Sequence, residues 1–297
     1  MYALMWSGGK DSALVLHRAR AAGLDVTRLI SFFDSATGRV RFHGVRVELL
    51  EEQARAAGVP IRTIGTSWPE MEGRLADELA TLKREGFTGV VLGDIHLADV
   101  RAWYETRVIA AGLEHVEPIW GEPPGRLLRE FVDAGGRAVV TCVDLTRLDR
   151  SWLGRVIDES FANEIAATGI DPCGENGEYH SYVFAGPMLR RPIGWRLGEI
   201  RDDGRFAQVD VIGDADPNGT FRSARSTSIR ARRSRTSRAR PVSRTTTWCI
   251  TRSSATRAPA PRRCCRSTRT RCAASSRPGR PRTGRPSRAS STGWKPV

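Results

Sequence analysis

Short, β-rich apolar runs alternate with helix-length amphipathic patterns through the first 145 residues, and few folds admit that alternation. The runs are YALMW (2–6), TRLISFF (27–33), PIRTIG (60–65), GVVLGD (89–94), HVEPIW (115–120) and RAVVTCV (137–143). Continuous apolar runs of this length are the pattern of strands buried on both faces. Between them, DSALVLHRARAAG (11–23) opens on an Asp and closes on Gly23. In VRVELLEEQARAAG (45–58), Val45, Leu49, Ala54 and Ala57 share a face and Gly58 supplies a stop. PPGRLLREFVDAGG (123–136) puts prolines before a helix and glycines after it. Strand–helix–strand alternation predicts a parallel sheet covered by helices. Farther on, SWLGRVIDESFANEIAATG (151–169) predicts one more helix, DPCGENGEYHS (171–181) a polar loop, and YVFAGPM (182–188) and RFAQVDVI (205–212) strands.

Charge divides the chain more sharply than length does. All 33 acidic residues lie at or before Asp216, where 25 basic residues leave a net charge of −8. Beyond that point 21 Arg and one Lys stand without a single carboxylate. The acidic first part argues against a nucleic-acid partner. No run is apolar enough for a membrane span, the start lacks a secretion-signal pattern, and only Cys142 and Cys173 precede the basic tail. A reducing cytoplasm is the expected setting.

The stretch SGGKDS (7–12) follows the first strand directly. It fails the Walker template G-x-x-x-x-G-K-[ST], because Asp11 follows Gly9-Lys10. The physics of an anion site is nevertheless there. Gly8 and Gly9 let backbone N–H groups approach an anion, and the helix that follows points free N–H groups at the same place. Lys10 adds a full charge, and Ser7 and Ser12 add hydroxyls. Asp11 is open to two readings, an Mg2+ ligand against bound phosphates or a helix N-cap.

The six residues resemble the pyrophosphate loop of the N-type ATP pyrophosphatases, in the adenine nucleotide alpha-hydrolase-like superfamily, which cut ATP between the α and β phosphates. GDI (93–95), ADVRAWYETRVIAAG (98–112) and above all DPCGENGEYHSYVFAGPM (171–188) are similar to the diphthine–ammonia ligase family and its bacterial relatives, over roughly residues 1–195. The resemblance implies an α/β fold. Its core is a Rossmann-like (HUP-type) parallel sheet of about five strands flanked by helices; the sequence pattern adds a small C-terminal α+β extension, and the composition past about residue 214 a disordered Arg-rich tail. The corresponding domains are 1–148 (ATP pyrophosphatase), 149–213 (substrate side) and 214–297 (tail).

The resemblance also implies an activity. ATP adenylates a substrate carboxylate (diphthine on elongation factor 2 in the named family), and ammonia displaces AMP to give an amide, with ATP and Mg2+ as cofactors. Catalytic roles fall on Lys10, Asp11, Asp94, Glu175 and Glu178. Nucleotide contacts fall on Ser7, Gly8, Gly9, Lys10, Asp11, Ser12, Gly93, Asn176 and Gly177. Asp94 is open to three readings: metal ligand, ribose anchor, or cap of the next helix. Glu175 and Glu178 either handle ammonium or a second Mg2+, or build a polar turn. His180 reads as a structural hydrogen-bonding group, with a base as the alternative, and His17 as packing. Arg101, Tyr104 and Arg107 share a helix face, either against substrate anions or against solvent. Cys173 in the loop keeps a tRNA-thiolating enzyme as an alternative, and a nucleotide binder without turnover is another.

The tail from about residue 214 admits two explanations: an arginine-rich nucleic-acid arm, or GC-rich DNA read out of frame. Its Arg, Ala, Pro, Gly, Ser and Thr, with no acidic residue past Asp216, favour the second. Resequencing the 3′ end of the gene is expected to reveal a frame change near codon 214. An intact frame shared with close relatives contradicts it.

Overall fold

The computed structural model describes residues 1–214; the expectations of a disordered tail and of a frameshift lie outside them. Five strands form a parallel sheet: β1 (Tyr2–Met5), β2 (Val26–Asp34), β4 (Ile61–Thr66), β5 (Gly89–Val91) and β6 (Glu114–Val116). Their spatial order is β4–β2–β1–β5–β6, and the two-residue β3 (Arg39–Val40) pairs antiparallel with the end of β2. The helices are α1 (Lys10–Ala21), α2 (Val47–Ala57), α3 (Met71–Arg84), α4 (Ala98–Ala110) and α5 (Pro124–Asp133). None of the described helices is long and apolar enough to cross a membrane.

Period-two alternation explains the layering. Leu4, Leu29 and Val91 join a core with α1, α2 and α5, while Ala3, Ile30 and Val90 join a second core with α3 and α4. The central strands β1, β2 and β5 are therefore apolar on both faces, the cause of their continuous runs in the sequence. Gly58 ends α2 in the left-handed conformation, at φ +67°, as its position in the sequence predicts.

A second sheet, antiparallel throughout, is built on β7 (Arg137–Asp144), which pairs with β8 (Val156–Ile157), β9 (Tyr179–Ala185) and β11 (Phe206–Gly213). β10 (Trp195–Asp202) pairs with β11 at the edge. The run 137–143 is thus a strand, but it lies in this second sheet instead of continuing the parallel one. An apolar run records burial and carries no information about its pairing partner.

The single helix predicted over 151–169 is also corrected. A short 3-10 turn (Arg150–Trp152), β8 and α6 (Glu159–Ala167) replace it. Gly154 at φ +78° breaks the path, and the Asp158 side chain caps α6 by accepting from the Phe161 amide at 2.9 Å.

Buried Gln53 on α2 joins the two sheets beside the first glycine loop. Its Oε1 accepts from Trp6 Nε1 at 2.8 Å, and its Nε2 donates to the Gly8 carbonyl (2.9 Å) and the Val183 carbonyl (2.7 Å). Val183 N also donates to Gly8 O at 2.9 Å. Gln53→Leu removes all three side-chain bonds and leaves buried partners unsatisfied, so a loss of about 2–4 kcal/mol in urea unfolding is expected. A loss under about 1 kcal/mol contradicts this account of the junction.

Candidate active site

The chain runs from β1 to β2 and β4 on one side, then returns to β5 and β6 on the other. The order reverses between β1 and β5, and ligands of open α/β sheets bind at the carboxyl ends of strands at such a reversal. The loops after these two strands carry Ser7–Ser12 and Gly93–Asp94.

Gly9, extended at φ −86° and ψ 174°, is the N-cap of α1 and provides no side-chain cap. Asp11 therefore stands inside the first turn, and the N-cap reading of it is corrected. Lys10 N donates to Ser181 Oγ (3.2 Å) and Gly9 N to Ser7 Oγ (3.3 Å). The amides of Asp11 and Ser12 have no partner among the described residues. Ser7 Oγ donates to Ser12 Oγ (3.3 Å), which donates to Gly9 O (3.0 Å). Free first-turn amides at the positive end of a helix dipole are an anion site.

The glycine requirement at Gly8 comes from the protein itself. At φ +80°, a Cβ there would stand 2.5 Å from Leu50 Cδ2 and 2.7 Å from Gln53 Oε1. Gly93 differs, because an added Cβ finds ordinary contacts, Ser12 N among them at 3.6 Å. A methyl there would stand over one of the free amides of α1.

Lys10 is buried. Its Nζ donates to Asp11 Oδ2 at 2.8 Å and to the Cys173 carbonyl, and lies 5.0 Å from the centre of the Tyr179 ring. Burial by itself pushes the ammonium down; the Asp11 carboxylate, with Tyr179 and Cys173, overrides burial and holds it well above the usual lysine range. The loop 171–178 is fastened at two further points. Glu175 Oε1 accepts from Ile95 N at 3.0 Å, and His96 Nε2 meets Asp171 Oδ2 at 2.7 Å. Burial, then the charges of Asp11 and Asp94, push Glu175 up to about 7.

Glu178 and Asn176 lie together elsewhere in the loop. Glu178 Oε1 pairs with Arg147 (3.2 Å) and accepts from Asn176 Nδ2 (3.3 Å), so their contacts run to Arg147 and not to the Lys10–Asp11 pair. Gly177 takes φ +86°, a turn conformation suited to glycine. The Cys173 thiol donates to Pro124 O at 3.2 Å, and burial pushes its pKa up, which disfavours the thiolate that sulfur transfer needs. The His180 ring packs 4.8 Å from that of His43 and 6.0 Å from that of Phe42. The hydrogen bond expected of His180 belongs to its neighbour, with His43 Nδ1 3.0 Å from Ser181 O. His17 is half-buried on α1.

Asp94 has a partner that the motifs did not indicate. Burial, foremost, pushes its carboxyl up to about 6, and the carboxyl beside it is that of Glu117, just past β6. Burial and then the Asp94 charge push Glu117 up to about 8. The Glu117 side chain is 2% exposed, with Arg101 Nε 3.2 Å away and His115 Nε2 3.4 Å away. A lone charge inside the apolar run HVEPIW was the signal available in the sequence. Arg101 stacks 4.6 Å over Trp120, and burial and Asp94 push Tyr104 up to about 12. Arg107 turns to Glu72 and the Trp103 ring. The three residues thus do not act as one face: the first two approach the carboxyl pair, and the third pairs with α3.

Comparison with known proteins agrees with this geometry. Residues 1–115 match the diphthamide synthase N-terminal domain, and residues 123–206 the diphthamide synthase C-terminal domain. The chain is 26% identical to the diphthine–ammonia ligase of Homo sapiens and 24% identical to that of Bos taurus. Each match runs over 216 residues, 64% of this chain and 81% of the relative. With a glycine loop, a second-sheet loop closing on it and both family domains matched, the chain belongs to the diphthamide synthase family and is an ATP-dependent ligase of that kind.

Proposed function

We propose that the enzyme adenylates a substrate carboxylate, releasing pyrophosphate, and that ammonia then displaces AMP to form an amide. The observation that carries the proposal is the pair of free amides at the start of α1, beside buried Lys10 and under the loop 171–178. A carboxylate resists amines because its carbonyl is electron-rich and its oxygen leaves poorly; AMP supplies the leaving group. The protein must then orient the carboxylate toward the α phosphate and neutralise the departing pyrophosphate. The amides of Asp11 and Ser12 bind phosphate oxygens, and the Ser7 and Ser12 hydroxyls donate alongside. Lys10, itself buried, adds positive potential at short range. Glu175, by holding the Ile95 amide, fixes the loop that carries Gly93 and Asp94.

Among the described residues, no three His, Cys, Asp or Glu side chains converge as a metal cage. Mg2+ held mainly by substrate phosphates needs only one or two carboxylates. Asp11 fits that need, since its charge helps raise both Glu175 and Asp94 and a cation would relieve the excess. Bound there, Mg2+ would neutralise phosphate charge. The acceptor we infer is diphthine or a carboxylate like it, by extension from the relatives' names.

Two measurements test the reading. Pyrophosphate release with ATP, Mg2+ and a panel of carboxylates, diphthine-bearing elongation factor 2 among them, is expected to depend on the acceptor. Lys10→Ala is expected to lower it by about a hundred-fold or more. A variant within about three-fold of the parent contradicts the role of Lys10. Gly93→Val, whose side chain would crowd the free Ser12 amide, is expected to raise the KM for ATP by about ten-fold with a small change in thermal unfolding. An unchanged KM removes the amide from the nucleotide site.

A further inference from the structure

The Glu117 side chain is nearly inaccessible, yet among the described residues neither of its carboxylate oxygens has a hydrogen-bond partner that meets normal geometry. A buried carboxylate without donors is costly unless something else supplies them. The groups around it do not. Arg101 lies 3.2 Å away but is turned toward the Trp120 face and is also 3.7 Å from Glu105. His115 Nε2 is itself unpartnered, and burial, above all, holds its pKa below the usual range, so it brings no charge. Tyr104 stays a neutral phenol. Asp94 and Glu117, with Glu105 on the far side of Arg101, thus share one guanidinium, which leaves negative charge in excess for a proton or a small cation.

The pocket's place narrows its occupant. Asp94 and Glu117 follow adjacent strands, β5 and β6, on the edge where β1 presents the anion loop. Among small cations, ammonium brings N–H donors on every side and no lone pair, the complement of orphaned carboxylate oxygens. We propose that Asp94 and Glu117 form the ammonium-binding subsite of this enzyme. The inference rests on the adenylation reading above and deepens it by assigning where the nitrogen enters.

The chemistry balances. Bound ammonium gives one proton to the carboxyl pair, becoming ammonia. Its lone pair forms the C–N bond at the acyl carbon, and the C–O bond to AMP breaks, its electrons leaving with AMP. The second proton, lost from nitrogen as the amide forms, passes to solvent. Carboxyls pushed up to about 6 and 8 are better matched to that proton than ordinary ones.

The test compares the full chain with Glu117→Gln and Glu117→Asp. Thermal unfolding is followed in ammonium chloride and in sodium chloride at equal ionic strength. Ammonium is expected to raise the parent's Tm by about 2 °C or more over sodium; Glu117→Gln is expected to lose that difference and Glu117→Asp to keep part of it. In turnover, Glu117→Gln is expected to raise the KM for ammonium about ten-fold, against a shift of less than about two-fold in the KM for ATP. The same ammonium response in parent and Glu117→Gln overturns the subsite, even where pyrophosphate is released normally. An ammonium-specific response lost in Glu117→Gln, in an enzyme that releases no pyrophosphate, supports the subsite and overturns the adenylation reading.

Discussion

A buried ammonium cannot stand alone in a protein interior, and the pairing of Lys10 organises this site. Its charge is met by its neighbour Asp11, by the carbonyl of Cys173 and by the Tyr179 ring, and two of those three groups belong to the C-terminal half of the chain. The contact draws the loop 171–178 down onto the start of α1. Glu175 on the Ile95 amide and His96 against Asp171 hold the same loop to the segment after β5. Three fastenings of different chemistry thus turn two sheets into one pocket.

The pocket also explains why polar residues are tolerated in it. Strand ends at a reversal of sheet order leave a crevice that no helix fills, so charge can be placed there at lower cost than in the core. Burial raises the carboxyls of Asp94, Glu117 and Glu175, the Asp94 charge raises the other two further, and the helix start with free amides lies at the same strand ends. Positive and negative groups are therefore both in surplus locally, one set suited to phosphate and the other to cations. Gln53 braces the glycine loop from behind through Gly8, so the free amides of the first turn stay fixed in direction.

What could be read in advance follows physical lines. SGGKDS was legible because a phosphate loop is contiguous and its glycines, lysine and following helix act over six residues. The central parallel strands were legible because burial on both faces leaves unbroken apolar runs. Strand β7 showed as a strand but not as the centre of a second sheet, since pairing partners leave no mark on periodicity. β10, largely solvent-exposed at an edge, left no apolar pattern to find. Residues 151–169 kept a helical pattern across a break that one glycine and one capping aspartate impose. Glu117 escaped because its meaning arises only when β6 lies beside β5, and the Lys10–Cys173 contact, 163 residues apart, is tertiary by nature.

The central claim is that the glycine loop presents ATP so that a carboxylate oxygen attacks the α phosphate. Labelling the acceptor carboxylate with heavy oxygen and examining the products by phosphorus NMR and mass spectrometry tests this most directly. The account predicts one heavy oxygen in AMP for each amide formed. Heavy oxygen in orthophosphate, with ADP as the nucleotide product, would contradict it.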